Sequence, residues 1–393
     1  MHLLLLFTFL LIGSASLAQP FVPGQTYFSA DGYIEYRCGN LPLILTAPHG
    51  GYLEPATLPD RSCPDAVTIR DGFTQELGRV IDSVFNEYHG CSPHLIINHL
   101  HRKKLDPNRE QGIATCDSPQ AVAAWEAFHR FTDSAKALVT RDFGKGLLLD
   151  LHGHAHTIQR LELGYQLTGD HLRSGDSAIN SAFRVQRSGI RSLVAINRNG
   201  LNHVELLRGE NALGTWLQRA GYASVPSQQI PFPLAGEPFF SGAYITERHG
   251  SMPGGSIDAI QMEHQMTGVR ETAATRRVYA DTLRRVIIDY LQLHSFGDTG
   301  FLNCQPVSSG IQKQNSHQLF SLYPNPSALL PQIEVQTAGE LKVYDFQGRC
   351  LFSGMLESGI QSLPFLPKSG GIYLISMTTS SGYGFYTRWV YYP

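Results

Sequence analysis

The sequence predicts an α/β domain followed by a small all-β domain, and three observations lead there. Between Tyr33 and about His294, short apolar runs alternate with amphipathic stretches of helical spacing, as in strands and helices packed in layers. From Phe296 to Gln318 the chain turns rich in Ser, Asn, Gln and Gly and loses periodicity, which reads as a linker. From Leu319 onward, β-type runs such as "LKVYDFQGRCLFSG" are broken by Gly and Ser turns, the pattern of a small β-sandwich. The expected boundaries are a leader at 1–18, a first domain at 19–295, a linker at 296–318 and a C-terminal domain at 319–393.

The first segment is "LLLLFTFLLI" (Leu3–Ile12), an apolar core too short to span a bilayer. Ser16 and Ala18 follow at positions suited to cleavage, so it reads as a secretory signal peptide, with no membrane span expected after its removal. Leu41–Ala47 is a strand ending in Pro48-His49-Gly50-Gly51. Asp71–Tyr88 carries Phe73, Leu77, Val80, Val84 and Tyr88 at helical spacing. Leu95–Asn98 is another strand, and Ala121–Val139 a long helix. Gly146–Leu151 is a continuous apolar run, as in a buried parallel strand, with "DLHGHAH" at its end. Ser256–Gln265 alternates, with Ile260 and Met262 on one side and Gln261 and Glu263 on the other. Thr275–Leu293 closes the domain as a helix. The central sheet is expected to be mixed, with helices flanking it.

Composition narrows the function. A formal net charge of −2 gives no electrostatic case for a nucleic-acid partner or an anionic membrane surface. Six cysteines suit an oxidising compartment, and none forms a C-x-x-C pair, so thiolate zinc ribbons are excluded. Cys38, Cys63, Cys91 and Cys116 fall within one domain, where two disulfides or free buried thiols are both open. No G-x-S-x-G elbow is present to suggest a serine hydrolase.

Candidate chemistry sits where strands end, because ligands of open α/β sheets bind beyond the carboxyl ends of strands. A catalytic zinc needs three ligands from histidines and carboxylates, plus an open position. His49, a carboxylate and His152 would supply such a set. His154 and His156 read as supporting or loop residues, and Asp150 as a group that orients an imidazole. Glu263, an acid in an otherwise apolar strand, is the candidate acid/base; a buried salt bridge to Arg248 is the structural alternative. "HRKKLDPNRE" places Arg102, Asp106, Asn108 and Arg109 in one loop, suited to bidentate capture of a carboxylate. Asp106 is read as orienting Arg109 or its neighbours. Tyr244 and Arg248, in "GAYITERHGS", are further candidates for lining the site.

Two resemblances follow from these residues. "APHGG", "RDGFTQEL", "HRKKLDPNRE", "DLHGH" and "IQMEHQ" occur in an order similar to the N-formylglutamate amidohydrolase family, over about Leu41–Leu293. That resemblance implies a zinc carboxypeptidase-like fold and a Zn2+-dependent hydrolase of C–N amide bonds near a carboxylate. In it His49 and His152 hold the metal, Asn108 and Arg109 grip the carboxylate, and Glu263 is the acid/base. Zinc carboxypeptidases use His-x-x-Glu, but His49 is followed by Gly50-Gly51-Tyr52, and Glu54 is two places too far. Asp71 falls where the amidohydrolase pattern has an Asp ahead of a helix, so the resemblance favours it as the third ligand, with Glu54 the alternative; Asp71 as a bare helix N-cap is also open. "FSLYPNPS" (Phe320–Ser327), "VYDFQGR" and "GGIYLI" resemble the C-terminal sorting domain of the type IX secretion system. That implies secretion or surface display, with the export machinery as a partner. The expected substrate is a small carboxylate-bearing amide, such as an N-acyl amino acid. A metallocarboxypeptidase, or a surface-displayed binding protein with an inactive site, remain the alternatives.

Overall fold

The computed structural model describes residues 21–304 and, nearer the C-terminus, 320–323, 330–335, 337–345, 349–369, 371–379 and 384–391. The leader at 1–18 and most of the expected linker, 305–318, lie outside the described residues. Two compact units divide the chain, Met1–Val307 and Ser308–Pro393.

The first unit is built on an eight-stranded mixed sheet. Its strands are β1 (Thr26–Phe28), β2 (Ile34–Arg37), β3 (Leu43–Ala47), β4 (His94–Asn98), β5 (Gly146–Gly153), β6 (Leu161–Gly164), β7 (Ser224–Val225) and β8 (Ile257–His264). They lie in the order β1-β2-β4-β3-β5-β8-β6-β7. The inner four, β4, β3, β5 and β8, are mutually parallel, while β2 and β6 run antiparallel against them. Every residue of β3, β4 and β8 is buried, as expected of strands covered on both faces.

Side-chain alternation divides the core into two layers. Leu43 and Leu45 of β3 and Leu147, Leu149 and Leu151 of β5 pack with α1 (Thr74–His89) and the last long helix, Ala273–Leu291. Ile44 and Leu148 point the other way, to Phe128, Phe131 and Trp125 on α3 (Pro119–Phe143). β3 has β4 on one side and β5 on the other, so the chain reverses its direction of winding there. Such a switch point leaves a crevice beyond the strands' carboxyl ends.

Several boundaries differ from the sequence reading, each for a local reason. α1 begins at Thr74 because Phe73 adopts a left-handed conformation at φ 67°, and Asp71 does not cap it. The Asp71 amide donates to His49 O at 3.0 Å, and its carboxylate turns to the histidines. The first unit also continues past residue 295. Phe301 is buried in the core, and Cys304 forms a disulfide with Cys91. The other bridge joins Cys63 to Cys116, and Cys38 stays a free buried thiol. Two disulfides among the first four cysteines are therefore not what forms.

The second unit has β9 (Phe320–Tyr323), β10 (Gln332–Val335), β11 (Gly339–Tyr344), β12 (Cys350–Leu356), β13 (Gly359–Ser362), β14 (Gly371–Thr379) and β15 (Gly384–Tyr391). They form two antiparallel sheets, β13-β10-β9 and β12-β11-β14-β15. Ile333 and Val335 of the first and Leu341, Val343, Ile375, Met377 and Trp389 of the second share one core.

One ion cluster around a buried carboxylate predicts acid sensitivity. Glu35 on β2 accepts from both Nη atoms of Arg79, at 2.8 and 2.6 Å, and lies 2.9 Å from His99 Nε2. Burial pushes its carboxyl up, but the bonds to His99 and Arg79 outweigh it and bring the pKa down to about 2. A depressed carboxylate contributes stability that is present above its unfolded value, here 4.5, and is lost as pH falls through 2. Glu35→Gln is expected to lower stability by about 2 kcal/mol at pH 7 and much less near pH 2. Urea unfolding of both proteins at the two pH values checks this.

Candidate metal centre

Each expected ligand arrives on a different element. His49 follows β3 after Pro48, and Gly51 then passes so close to the Leu100 carbonyl that a Cβ there would collide with it. His152 lies near the end of β5, beside Glu263 of β8. Asp71 comes from the segment ahead of α1. Its Oδ2 stands 3.2 Å from His49 Nδ1 and 3.1 Å from His152 Nδ1, with all three side chains buried.

The other imidazole nitrogens are fixed by carboxylates. His49 Nε2 meets Asp106 Oδ1 at 2.6 Å, and His152 Nε2 meets Asp150 Oδ2 at 2.7 Å. Asp150 is held by the Thr46 hydroxyl at 2.7 Å, and Asp106 by Arg102 Nε and the Asn108 amide, both at 3.0 Å. Carboxylates accept, so both Nε2 atoms carry a proton, and each ring turns its Nδ1 toward Asp71. Two imidazole nitrogens that each face the same carboxylate oxygen, at 3.2 and 3.1 Å, need a cation between them, a proton or a metal ion. Electrostatics agree. Burial alone would lift Asp71, but His49 and His152 hold it well below the usual carboxylate range. Burial alone would lower His152, but Asp150 and Asp71 raise it well above its ordinary value.

The donor set fits zinc. Ligands about 2.0–2.1 Å from a tetrahedral Zn2+ stand roughly 3.3 Å apart. The two nitrogen-to-oxygen distances here, 3.2 and 3.1 Å, are close to that. Ligand imidazoles backed by carboxylates are the usual arrangement around such ions.

These residues open on a cleft of about 220 Å³ that Arg102, Asn108, Arg109, Gln261 and Glu263 also line. Glu263 projects from β8 on the same side as Gln261, which donates to its Oε1 at 3.0 Å. Burial pushes the Glu263 carboxyl up to about 8, opposed by His152 and assisted by Asp71, Glu162 and Asp150. Asn108 Nδ2 lies 3.3 Å from His152 Nε2, and its Oδ1 accepts from the Ile245 amide at 2.8 Å. Arg102 is turned inward to Asp106 and, at 3.5 Å, to Asp71 Oδ1. Among the described residues Arg109 is tied through Nη1, to the Asn108 carbonyl at 2.8 Å.

Other expected residues stand elsewhere. Glu54 is exposed, paired with Lys103 at 2.6 Å and near His101, and it does not join His49 and His152. Tyr244 and Arg248 lie at the two ends of a short helix, Tyr244–His249, that turns them toward α3. Tyr244 packs near Trp125 and His129, and Arg248 lies over the Trp125 ring and 3.6 Å from Asp133. Neither lines the cleft, and Arg248 does not pair with Glu263. Asp106 holds Arg102 and the Asn108 amide, neighbours of Arg109, and also His49. His154 accepts from the His156 amide through Nδ1 and meets the Arg160 carbonyl through Nε2, so it does not reach the ligands. His154, His156 and Glu162 come together as a second group with metal-ligand atoms, but both His154 nitrogens are already engaged.

Three residues escaped the sequence reading. Gln261 was detectable from the β8 alternation that puts it beside Glu263. Phe240 lines the cleft from a stretch without regular structure and had no signal. Arg270 was equally silent: buried, it bonds the carbonyls of His264, His154 and Gly72.

Comparison with known proteins is informative at the C-terminus. Residues 321–388 match the secretion system C-terminal sorting domain. No curated protein matches the chain. Among solved structures, one chain comes from work on PorZ, a bacterial surface component of the type-IX secretion system of Porphyromonas gingivalis. It shows 17% identity at a TM-score of 0.19, covering 21% of this chain and 13% of that one, a likeness that carries no argument. Among the described residues no helix is long and apolar enough to cross a membrane. The C-terminal segment is a type IX sorting domain, and the chain is exported by that system to the cell surface or beyond.

Proposed function

We propose that the first unit is a secreted zinc-dependent amidohydrolase, acting on the C–N amide bond of an N-acyl amino acid or small peptide that bears a carboxylate. The observation that carries this is the convergence of His49 Nδ1, His152 Nδ1 and Asp71 Oδ2, with each imidazole backed by a carboxylate and Glu263 on the same wall. The parallel core and the site at its switch point support the zinc carboxypeptidase-like fold implied by the resemblance to N-formylglutamate amidohydrolases.

His49, Asp71 and His152 would hold the ion, which when bound polarises the scissile carbonyl and acidifies a water. The chain's own groups do the rest. Gln261 donates to Glu263 Oε1, and in the carboxylate form, which a cation held by Asp71 and His152 would favour, Oε2 is left to accept the proton of the attacking water and pass it to the leaving nitrogen. Asp106 and Asp150 keep the imidazole protons on Nε2 throughout. Arg109 holds the substrate carboxylate through the guanidinium edge that Asn108 leaves free. Arg102 locks Asp106 and Asp71 in place.

Incubating the zinc-supplied full chain with a panel of N-formyl and N-acetyl amino acids is expected to release free amino acid, and a chelator to abolish the release. Release that survives complete metal removal would overturn the reading. A surface-displayed binding protein would release none.

A further inference from the structure

We propose that the cleft selects substrates with one carboxylate beside an aromatic or large aliphatic side chain, rather than acidic amino-acid derivatives. This rests on the amidohydrolase reading and names its substrate class.

The first argument is charge. Arg102 and Arg109 are the only arginine or lysine side chains that line the cleft among the described residues. Arg102 is largely committed: Nε donates to Asp106, and Nη1 lies 3.5 Å from Asp71 Oδ1 and 3.4 Å from the Ile69 carbonyl, so its guanidinium already serves two carboxylates of the site. Arg109 alone remains, enough for one carboxylate held by two parallel bonds. A second carboxylate in the same space would meet Asp71 and Glu263 with no partner of its own. Burying an unpaired carboxylate is costly, so a dicarboxylate is disfavoured.

The second argument is Phe240. Its ring stacks on His156, centroids 4.8 Å apart and planes 15° apart, and its amide donates to Glu162 Oε2 at 2.8 Å. Both contacts fix it before a ligand arrives. Yet the residue is 44% exposed and forms part of the cleft lining, so a large apolar surface is held open at the site. Gly242 and Ala243 continue that wall with almost no side chain, leaving room beside the ring. At about 220 Å³, the cleft suits a single amino-acid derivative and is smaller than the usual pockets for larger ligands. An apolar side chain laid on Phe240 would gain stacking or area burial that a carboxylate cannot.

The test compares N-formyl-L-phenylalanine with N-formyl-L-glutamate on the zinc-supplied full chain, by turnover and by calorimetric binding to Glu263→Gln. The expected result is at least tenfold higher kcat/KM and tenfold tighter binding for the phenylalanine compound. Both ratios should fall towards one when Phe240→Ala is introduced and be largely kept by Phe240→Leu. Equal or better use of the glutamate compound, or a ratio unmoved by Phe240→Ala in a folded protein, overturns the proposal. Phenylalanine-selective binding without turnover of any compound would overturn the hydrolase reading and support this selectivity. Absence of selective binding overturns the selectivity itself.

Discussion

Glu263→Gln is expected to lower kcat by about 10²–10⁴-fold while leaving metal content unchanged. The amide keeps the size of the side chain and can still face Gln261, so β8 and the cleft wall should hold their shape. What it loses is an oxygen able to take a proton. Glu263 is not among the converging ligand atoms, which come from His49, Asp71 and His152. The substitution therefore separates proton transfer from metal holding. The loss should appear in kcat rather than KM, because the group is assigned to the reaction and not to gripping the carboxylate. Steady-state kinetics beside metal analysis reads both. Full turnover in the variant would remove Glu263 from the mechanism, and loss of metal would move it into the coordination shell.

Asp71→Asn is expected to weaken zinc binding by more than about 100-fold, since even partners of the ligands cost 10–100-fold when changed. The substitution removes the negative charge that faces two imidazole lone pairs, and it offers an amide where a carboxylate oxygen stood. Asp106→Asn should fall within about 10–100-fold, because it frees His49 Nε2 without removing a ligand. Glu54→Gln, on the exposed residue paired with Lys103, should change nothing. Competition with a chromophoric chelator ranks all three. Equal losses in Asp71→Asn and Glu54→Gln would contradict the assigned ligand set.

The parts of the site that announced themselves in sequence did so through contrast. His152 follows a run of leucines, and Glu263 interrupts an apolar strand, so each polar residue stood out against its neighbours. β3, β4, β5 and β8 were legible for the same reason, whereas β1 and β7, at three and two residues, are too short to show a period. Asp71 was harder. It meets His49 and His152 across 22 and 81 residues, contacts that no local spacing encodes, and only the order of motifs pointed to it. Asp106 was legible in part: it bonds Arg102 and the Asn108 amide, neighbours of Arg109, but its turn inward to His49 spans 57 residues, which no local spacing encodes. Tyr244 and Arg248 misled by closeness in sequence to Glu263; the short helix that holds both carries them to α3. Cys304 returns to Cys91 over 213 residues, a distance across which cysteine spacing says nothing.

Zinc K-edge absorption on the purified full chain, with metal stoichiometry measured on the same sample, tests the central claim most directly. The account predicts about one zinc per chain in a nitrogen and oxygen shell containing two imidazoles and no sulfur. A protein that takes up no zinc when it is supplied, or a shell that contains thiolate, would contradict it.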